Sequence, residues 1–253
     1  MLVAACAVIP SAAATDPLQD LLSRASRQVS ASLELISEMN CTEHVTQTKL
    51  GDRGQVVEKA ESSFDYLILF SNTGGELNLV ESRIADNSGK GPSKEKAPLL
   101  LSNGFSVLFL IFHPYYAAGF KFTFADDEIL GGRTFARIQF RHIPGTRSPV
   151  ALAVRGREYP LDLSGTAWID PETGTIAKIE GTLETTMEDV GPRTLQFEID
   201  YAPVAFQVSA QAYWLPAQAT VEVESRHQHW RNTHVFTGYK RFSVDTKEQI
   251  AKP

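Results

Sequence analysis

The chain has 253 residues, of which 43% are hydrophobic and 21% charged, and 24 Lys and Arg against 30 Asp and Glu give a formal net charge of −6. This composition is ordinary for a globular protein, and it excludes intrinsic disorder, a collagen-like repeat and a small disulfide-rich domain. The acidic excess argues against a nucleic-acid partner, because phosphate binding needs a clustered positive surface.

The first fourteen residues, MLVAACAVIPSAAA, are uncharged and end in small residues. They match the apolar part and the A-x-A cleavage site of a secretory signal, with Thr15 as the first mature residue. A bacterial lipobox ending at Cys6, which would then be lipidated, is one alternative, and a disordered apolar N-terminus is another. The segment is too short to span a bilayer. We expect an exported bacterial protein of the periplasm or outer membrane, with 1–14 as a signal-peptide remnant and 15–253 as one domain.

The first predicted element is an amphipathic helix from Asp16 to Met39. Asp16 can cap this helix, and Pro17 suits its first position, where a missing N–H costs nothing. Apolar residues then recur at spacings of three and four, which predicts one buried helical face. These residues are Leu18, Leu21, Leu22, Ala25, Val29, Leu33 and Ile36.

The hydrophobic period changes to two after this helix, which predicts an antiparallel meander. A polar loop from Asp86 to Pro98 interrupts the meander. The sharpest hairpin turns at Asp170–Gly174, where Pro and Gly suit a tight turn, and the last one turns at Arg231-Asn232. The predicted strands are 41–49, 55–61, 64–71, 76–84, 120–125, 133–143, 150–156, 164–170, 175–186, 193–201, 217–228 and 231–243.

The most apolar stretch runs from Leu99 to Phe124. Ser102 can cap a helix that ends at Pro114, and this helix is apolar nearly all round, which predicts that it is buried. An aromatic cluster, Tyr115, Tyr116, Phe120, Phe122 and Phe124, follows it. These side chains either fill the core or line a cavity for a lipid or an apolar peptide. The candidate ligand-binding residues are Phe105, Leu108, Phe109, Phe112, Tyr115 and Tyr116.

Cysteine and histidine patterns give little indication of chemistry. Cys41 is expected to be a small buried side chain, because nothing activates it and His44 falls on the opposite face of the predicted strand. His227 and His229 are predicted on one strand face about 7 Å apart, where a cross-strand His234 could join them. No carboxylate or cysteine completes that set in the sequence, so we predict no metal site.

Hydrolase and nucleotide-binding signatures are absent from the sequence. The acidic groups at Asp126–Glu128 and Glu188–Asp189 are expected in solvated turns. We therefore predict no catalytic residue and no cofactor. A glycosidase-like pair of carboxylates facing each other across a cleft stays open as an alternative.

Three features together resemble the lipoprotein-carrier superfamily of periplasmic proteins: the helix at 18–38, the apolar helix at 102–112 and the hairpin WIDPETGTIAKIE. This superfamily includes the outer-membrane lipoprotein carrier and its receptor, mycobacterial lipid-binding lipoproteins and periplasmic anti-sigma regulators. The resemblance implies a mainly β (α+β) fold, in which helices plug a strongly curved antiparallel sheet, an unclosed β-barrel. The ending FSVDTKEQIAKP and the segment around Cys41 are also similar to uncharacterised secreted bacterial proteins.

Three functional hypotheses follow. The first is a carrier that holds an acyl chain, from a lipid or a lipoprotein, between the sheet and the apolar helix. The second is an envelope protein that binds another protein and has a filled barrel. The third is an enzyme on an unrecognised β scaffold. An apolar cavity would favour the first, a large exposed apolar patch the second, and converging titratable groups in a cleft the third.

Overall fold

The computed structural model describes residues 16–73, 75–85, 104–154, 157–206 and 212–242. The leader with Cys6, the loop predicted at Asp86–Pro98 and the predicted cap Ser102 lie outside these ranges. Among the described residues, no helix combines the length and the apolar character needed to cross a membrane.

Helix α1 runs from Pro17 to Ile36, as the apolar stripe predicts. The Asp16 side chain accepts a hydrogen bond from the Leu18 N–H at 3.1 Å, which satisfies one of the free donors at the helix start. The buried residues of this helix are Leu21, Ala25, Val29, Leu33 and Ile36. The predicted helix and its buried face are confirmed, but the helix ends at Ile36 and Met39 already belongs to the first strand.

Ten strands of the described part form one antiparallel sheet in the order β3-β2-β1-β12-β11-β10-β9-β8-β5-β4, and β6 pairs with β7 in a separate hairpin. Their bounds are β1 Met39–Leu50, β2 Val56–Thr73, β3 Glu76–Ala85, β4 Phe120–Leu130, β5 Arg133–His142, β6 Ala151–Val154, β7 Arg157–Pro160, β8 Leu163–Ile169, β9 Ile176–Leu183, β10 Pro192–Ala205, β11 Ala212–Ser225 and β12 His229–Arg241.

The sheet is a curved meander that is not closed into a barrel. Its first and last strands pair with each other, with Gln47 of β1 opposite Asn232 of β12. The break in the meander therefore lies between β3 and β4, which are consecutive along the chain and form the two edges. The mainly β fold with an unclosed curved sheet, which the resemblance implied, is confirmed.

Strand β2 is one strand where the sequence predicted two. It runs from Val56 to Thr73, and its register with β1 continues without interruption through Ser62 and Ser63. Both serines are half-buried and pair with Val45 and His44 of β1. The predicted break between 61 and 64 is therefore wrong.

Of two other expectations in the middle of the chain, one is wrong and one is confirmed in part. Asp126–Glu128 lie in strand β4 instead of a turn, and a bulge between Phe124 and Asp127 shifts the pairing there. The strand predicted at 150–156 is the first arm of the β6–β7 hairpin.

The last hairpin turns earlier than predicted. The Ser225 N–H donates to the Gln228 carbonyl at 2.7 Å, and β12 begins at His229. Arg231 and Asn232, the predicted turn, therefore lie within β12. Both residues continue the alternation of that strand, with Arg231 exposed and Asn232 buried.

The apolar helix predicted at 102–112 is shorter than expected. It is a 3-10 helix from Leu108 to Phe112, and all five of its residues are buried. Gly104 has a φ of +83°, which is incompatible with an α-helix continuing from 102. Aromatic and β-branched residues also have modest helix propensity. The predicted burial is confirmed and the predicted helix length is wrong.

Pro114 begins a second helix as well as ending the first. Helix α2 spans Pro114–Ala117, and the His113 side chain caps it by accepting from the Tyr115 N–H at 3.2 Å. Residues 104–119, with the 3-10 helix and α2, are called the plug below. The plug connects to edge strand β4 and packs against α1 on the inner face of the sheet.

The Asp170–Gly174 turn forms as predicted and contacts α1 closely. Asp170 accepts hydrogen bonds from the Glu172 and Thr173 N–H groups at 3.0 and 2.9 Å. Gly174 has a φ of +76°, and a Cβ added there would lie 2.6 Å from the Ala25 backbone nitrogen. Glycine at this position therefore allows both the left-handed turn and the contact with the helix.

Gly174→Ala is expected to lower the free energy of unfolding by about 2–5 kcal/mol. Left-handed backbone costs a non-glycine residue about 1–2 kcal/mol, and overpacking against a fixed backbone adds about 1–3 kcal/mol. Urea denaturation measures the loss. Gly131→Ala is the matched control, because Gly131 has a φ of +57° and open space around it. Equal losses in the two variants would contradict the close approach to α1.

Candidate functional site

A cavity of about 310 Å³ lies between α1, the plug and edge strand β4. Five of its seven lining residues are aliphatic or aromatic, and the other two carry neutral polar side chains. Its lining residues are Gln19, Leu22, Ser26, Phe112, Ala117, Phe120 and Phe122.

The local structure explains why these residues meet. Gln19, Leu22 and Ser26 are spaced by three and four, so they follow one another along a single side of α1. Phe120 and Phe122 are two apart in β4 and therefore share a face of that strand. The Phe122 ring stacks on the ring of Phe112 in the plug, with centroids 5.1 Å apart. The cavity thus has an aromatic floor and a helix wall.

Of the six candidate ligand-binding residues, Phe112 lines this cavity. Phe105, Leu108 and Phe109 are buried in the core instead. Phe105 and Phe109 contact Phe197 and Tyr201 of β10, with ring centroids 5.5 and 5.8 Å apart. The interior is therefore filled beneath the middle of the plug and hollow at its β4 end.

Tyr115 and Tyr116 lie in α2, and Tyr115 contacts the first residue of β3. The Tyr115 hydroxyl donates a hydrogen bond to Glu76, and the Arg147 guanidinium sits 4.6 Å from the Tyr115 ring centroid. Arg147 also donates to Glu76 at 3.1 Å. Their arrangement attaches α2 to the first residue of β3. A role for either tyrosine in ligand binding stays a prediction.

Sequence reasoning missed Gln19, Ser26 and Ala117 as cavity residues. Leu22 was recognised as part of the helix stripe, and Phe120 and Phe122 as part of the aromatic cluster. The available signal was the spacing of Gln19 and Ser26 around Leu22, which places polar side chains beside the buried stripe.

A second group of polar side chains forms an ionic network buried on the inner face of the sheet. The Glu43 side chain is fully buried, and Arg83 donates to its two oxygens at 2.6 and 2.9 Å. Nδ1 of His234 lies 2.8 Å from a Glu43 oxygen, and Arg83 also contacts Glu81 at 3.0 Å. The network thus joins β1, β3 and β12.

This network continues into the start of the plug. Glu81 accepts hydrogen bonds from the Gly104 N–H at 2.8 Å and the Ser106 hydroxyl at 3.2 Å. The Tyr66 and Ser106 hydroxyls are 2.7 Å apart. Burial opposes ionisation of Glu43, but hydrogen bonds from His234 and Arg83 outweigh burial and hold the pKa of Glu43 below its usual value. The ionised network therefore positions the plug.

The three C-terminal histidines are not brought together. His227 lies in the turn before β12, so the expectation that it shares a strand face with His229 is wrong. His229 and His234 are five residues apart in β12 and face opposite sides of the sheet. His229 contacts Glu222 at 2.6 Å on the outer side, while His234 is buried beside Glu43. Among the described residues, no group of three or more His, Cys, Asp or Glu could hold a metal ion.

Cys41 is buried, as predicted. Burial raises the pKa of the Cys41 thiol to about 12, although a hydrogen bond with Tyr239 acts in the opposite direction. A thiol with this pKa is protonated at neutral pH and is a poor nucleophile. His44 is exposed and hydrogen-bonds to Ser63 at 2.7 Å.

His142 has an arrangement that superficially resembles a catalytic triad. Its Nδ1 lies 2.8 Å from Asp162, and its Nε2 lies 3.1 Å from the Thr146 hydroxyl. Thr146, however, donates to the Ile143 carbonyl at 2.6 Å, so its proton is already committed to the backbone. These contacts stabilise the loop after β5 and provide no activated nucleophile.

No known family model matches this chain, and no curated protein matches it. Several solved structures are similar in fold. They include a DUF1329 family protein from Desulfovibrio piger (TM-score 0.49, 10% identity, covering 91% of this chain and 95% of the other). They also include a LolA superfamily protein from Nitrosomonas europaea (TM-score 0.40, 9% identity, covering 89% of this chain and 94% of the other). A third is a domain described as a putative outer membrane lipoprotein-sorting protein from Vibrio parahaemolyticus (TM-score 0.37, 10% identity, covering 89% of this chain and 95% of the other).

The likeness concerns the fold alone, and no residue of this chain takes a role from it.

Proposed function

We propose that this chain is an exported envelope protein that binds the apolar part of a ligand, such as an acyl chain, between α1, the plug and β4. The cavity of about 310 Å³ carries this proposal. Its volume falls within the range of small-molecule sites, which is about 300–1,000 Å³. Its place beside an edge strand gives a ligand a route in without breaking strand pairing.

The chemistry of the lining defines the ligand class. Leu22, Phe112, Phe120 and Phe122 offer apolar contacts, and Gln19 offers hydrogen bonds. None of the lining residues is charged, and an unpaired buried charge is costly. We therefore infer that the bound portion is neutral and mainly apolar, with any charged head group outside the cavity.

The uncharged leader with its A-x-A site supports export. Export would bring the cavity into contact with envelope lipids or lipoproteins as sources of an acyl chain. Native mass spectrometry of protein purified from its own envelope distinguishes these sources by the mass of the bound ligand. A protein that is ligand-free in its native envelope would contradict the carrier function.

Ala117→Phe is expected to weaken binding of a fluorescent fatty acid by about tenfold or more, which corresponds to about 1.4 kcal/mol. The added ring would occupy space that the ligand needs. Ala118→Phe is the matched control, because Ala118 is the exposed neighbour of Ala117 and is not a lining residue. Fluorescence titration of both variants and the unsubstituted chain measures the effect.

Equal affinity in all three proteins would show that fatty acid binds elsewhere or without specificity. Equal loss in both variants would indicate damage to α2 instead of a filled cavity. Circular dichroism of each variant checks that the fold is intact.

A second candidate function is binding of another envelope protein. The specific observation is a set of exposed apolar side chains on the two edge strands: Val80, Ile84, Phe124 and Ile129. Exposed apolar surface on a sheet edge is typical of interaction sites.

A further inference from the structure

The two edges of the sheet differ in how well they are protected. Within the described residues, neither β3 nor β4 has a second strand neighbour. Strand β4 carries a bulge and the acidic run Asp126–Glu128, and bulges and charges are features that discourage edge pairing. Strand β3 pairs with β2 in unbroken register from Glu76 to Ala85 and has no proline. Strand β3 is therefore the edge that is ready to accept another strand.

The outward face of β3 is uncharged and partly apolar beyond Glu76, its first residue. Residues at even positions from 78 to 84 point away from the core: Asn78, Val80, Ser82 and Ile84. Val80 and Ile84 are 57% and 58% exposed, and Leu69, directly opposite Val80 on β2, is 52% exposed. This apolar patch continues up to the free edge.

The sequence of β3 is complementary to itself in antiparallel orientation. Residues directly opposite one another share a face of a sheet, so pairing must match even positions with even ones. A two-fold axis at Ser82 places Val80 opposite Ile84 of a second copy, twice. The same register places Glu81 opposite Arg83 of the second copy on the inner face, where both side chains stay paired within the buried network of their own chain.

The neighbouring registers are poorer. An axis at Glu81 would place this carboxylate opposite its own copy, and directly opposed like charges are destabilising. An axis at Val80 would place Ile84 opposite Glu76 of the second copy. The axis at Ser82 therefore pairs the apolar side chains with each other and avoids opposed carboxylates.

We propose that β3 is the interface for a second copy of this chain, paired antiparallel about a two-fold axis at Ser82. Such an isologous contact would extend each ten-stranded sheet into its partner's sheet. The proposal is independent of the cavity, because none of the cavity-lining residues belongs to β3.

Sedimentation analysis over a range of concentrations tests the association. We expect the unsubstituted chain to dimerise and Val80→Lys to raise the dimer dissociation constant by about tenfold or more. Ile129→Lys is the matched control, because Ile129 is 70% exposed on the other edge strand. A chain that stays monomeric at its solubility limit overturns the proposal, as does an Ile129→Lys variant that loses the dimer while Val80→Lys keeps it.

The register has its own test. Ser82→Cys places the two new thiols opposite each other at the axis, within the Cα separation of about 4.4–6.8 Å that a disulfide needs. Asn78→Cys leaves its thiols several residues apart on either side of the axis. Mild oxidation should cross-link Ser82→Cys and leave Asn78→Cys at the background of the unsubstituted chain, whose native cysteines serve as the reference. Equal cross-linking of both variants overturns the proposed register.

Discussion

Arg83→Met is expected to lower the free energy of unfolding by about 3–5 kcal/mol, the usual cost of removing one partner from a buried ion pair. Arg83 neutralises two carboxylates, Glu43 and Glu81, whose side chains are 0% and 8% exposed. Methionine has a similar length and no charge, so it leaves both carboxylates without their cation. Chemical denaturation followed by circular dichroism measures the loss.

Arg147→Met is the control for this prediction. Arg147 also pairs with a β3 glutamate, Glu76, but both side chains are about 60% exposed. Exposed ion pairs contribute about 0–1 kcal/mol, so we expect a loss within that range. Similar losses in the two variants would contradict the special role of the buried network.

The destabilisation by Arg83→Met should also depend on pH. In the unsubstituted chain the pKa of Glu43 is lowered, so Glu43 contributes stability that is present above its unfolded pKa of about 4.3 and is lost as the pH falls. Without Arg83, burial acts on Glu43 with less opposition and favours the protonated carboxyl. The difference in stability between the two proteins should therefore be smaller at about pH 4 than at about pH 7. A difference that is independent of pH would contradict this assignment of charge.

Phe109→Ala is expected to cost about 3–5 kcal/mol, as for other large-to-small changes in a packed core. Phe109 lies in the 3-10 helix, is 5% exposed and contacts the Tyr201 ring edge-on. The space beside it, about 20 Å³, is too small for a ligand. We therefore expect the loss of stability to be that of a filled core.

Phe122→Ala, compared with Phe109→Ala, distinguishes a cavity position from a core position. Phe122 lines the cavity and is half-buried, so its truncation should cost less than that of Phe109 and should change fatty-acid affinity. Phe109→Ala, if it stays folded, should keep the affinity of the unsubstituted chain. Fatty-acid titration below the denaturation midpoint compares them. Loss of affinity in Phe109→Ala alone would place the ligand beneath the middle of the plug and contradict the proposed cavity.

The structure combines two hypotheses that the sequence left as alternatives. The core beneath Phe105, Leu108 and Phe109 is filled, which was expected of an interaction protein. A cavity at the β4 end of the plug was expected of a carrier. We propose that the cavity at the β4 end binds a small apolar ligand and that the opposite edge, β3, binds a second copy.

Local patterns in the sequence were sufficient to predict the elements whose structure depends on residues close together in the chain. The stripe from Leu18 to Ile36 and the cap at Asp16 predicted α1, because helix contacts connect residues three and four apart. The Asp170–Gly174 turn was predicted because Pro and Gly restrict backbone angles at the turn itself. Burial of Cys41 and of the 3-10 helix followed from side-chain polarity.

The tertiary structure decided what depended on distant residues. The pairing of β1 with β12 brings His234 within 2.8 Å of Glu43, 191 residues away, and no local pattern connects them. A small error in the position of the last turn placed His227 in a strand beside His229. In the structure His227 lies in the turn, and β12 begins at His229. The cavity arises where α1, the plug and β4 meet. Its lining therefore depends on how these three elements pack together, which the pattern within each element does not show.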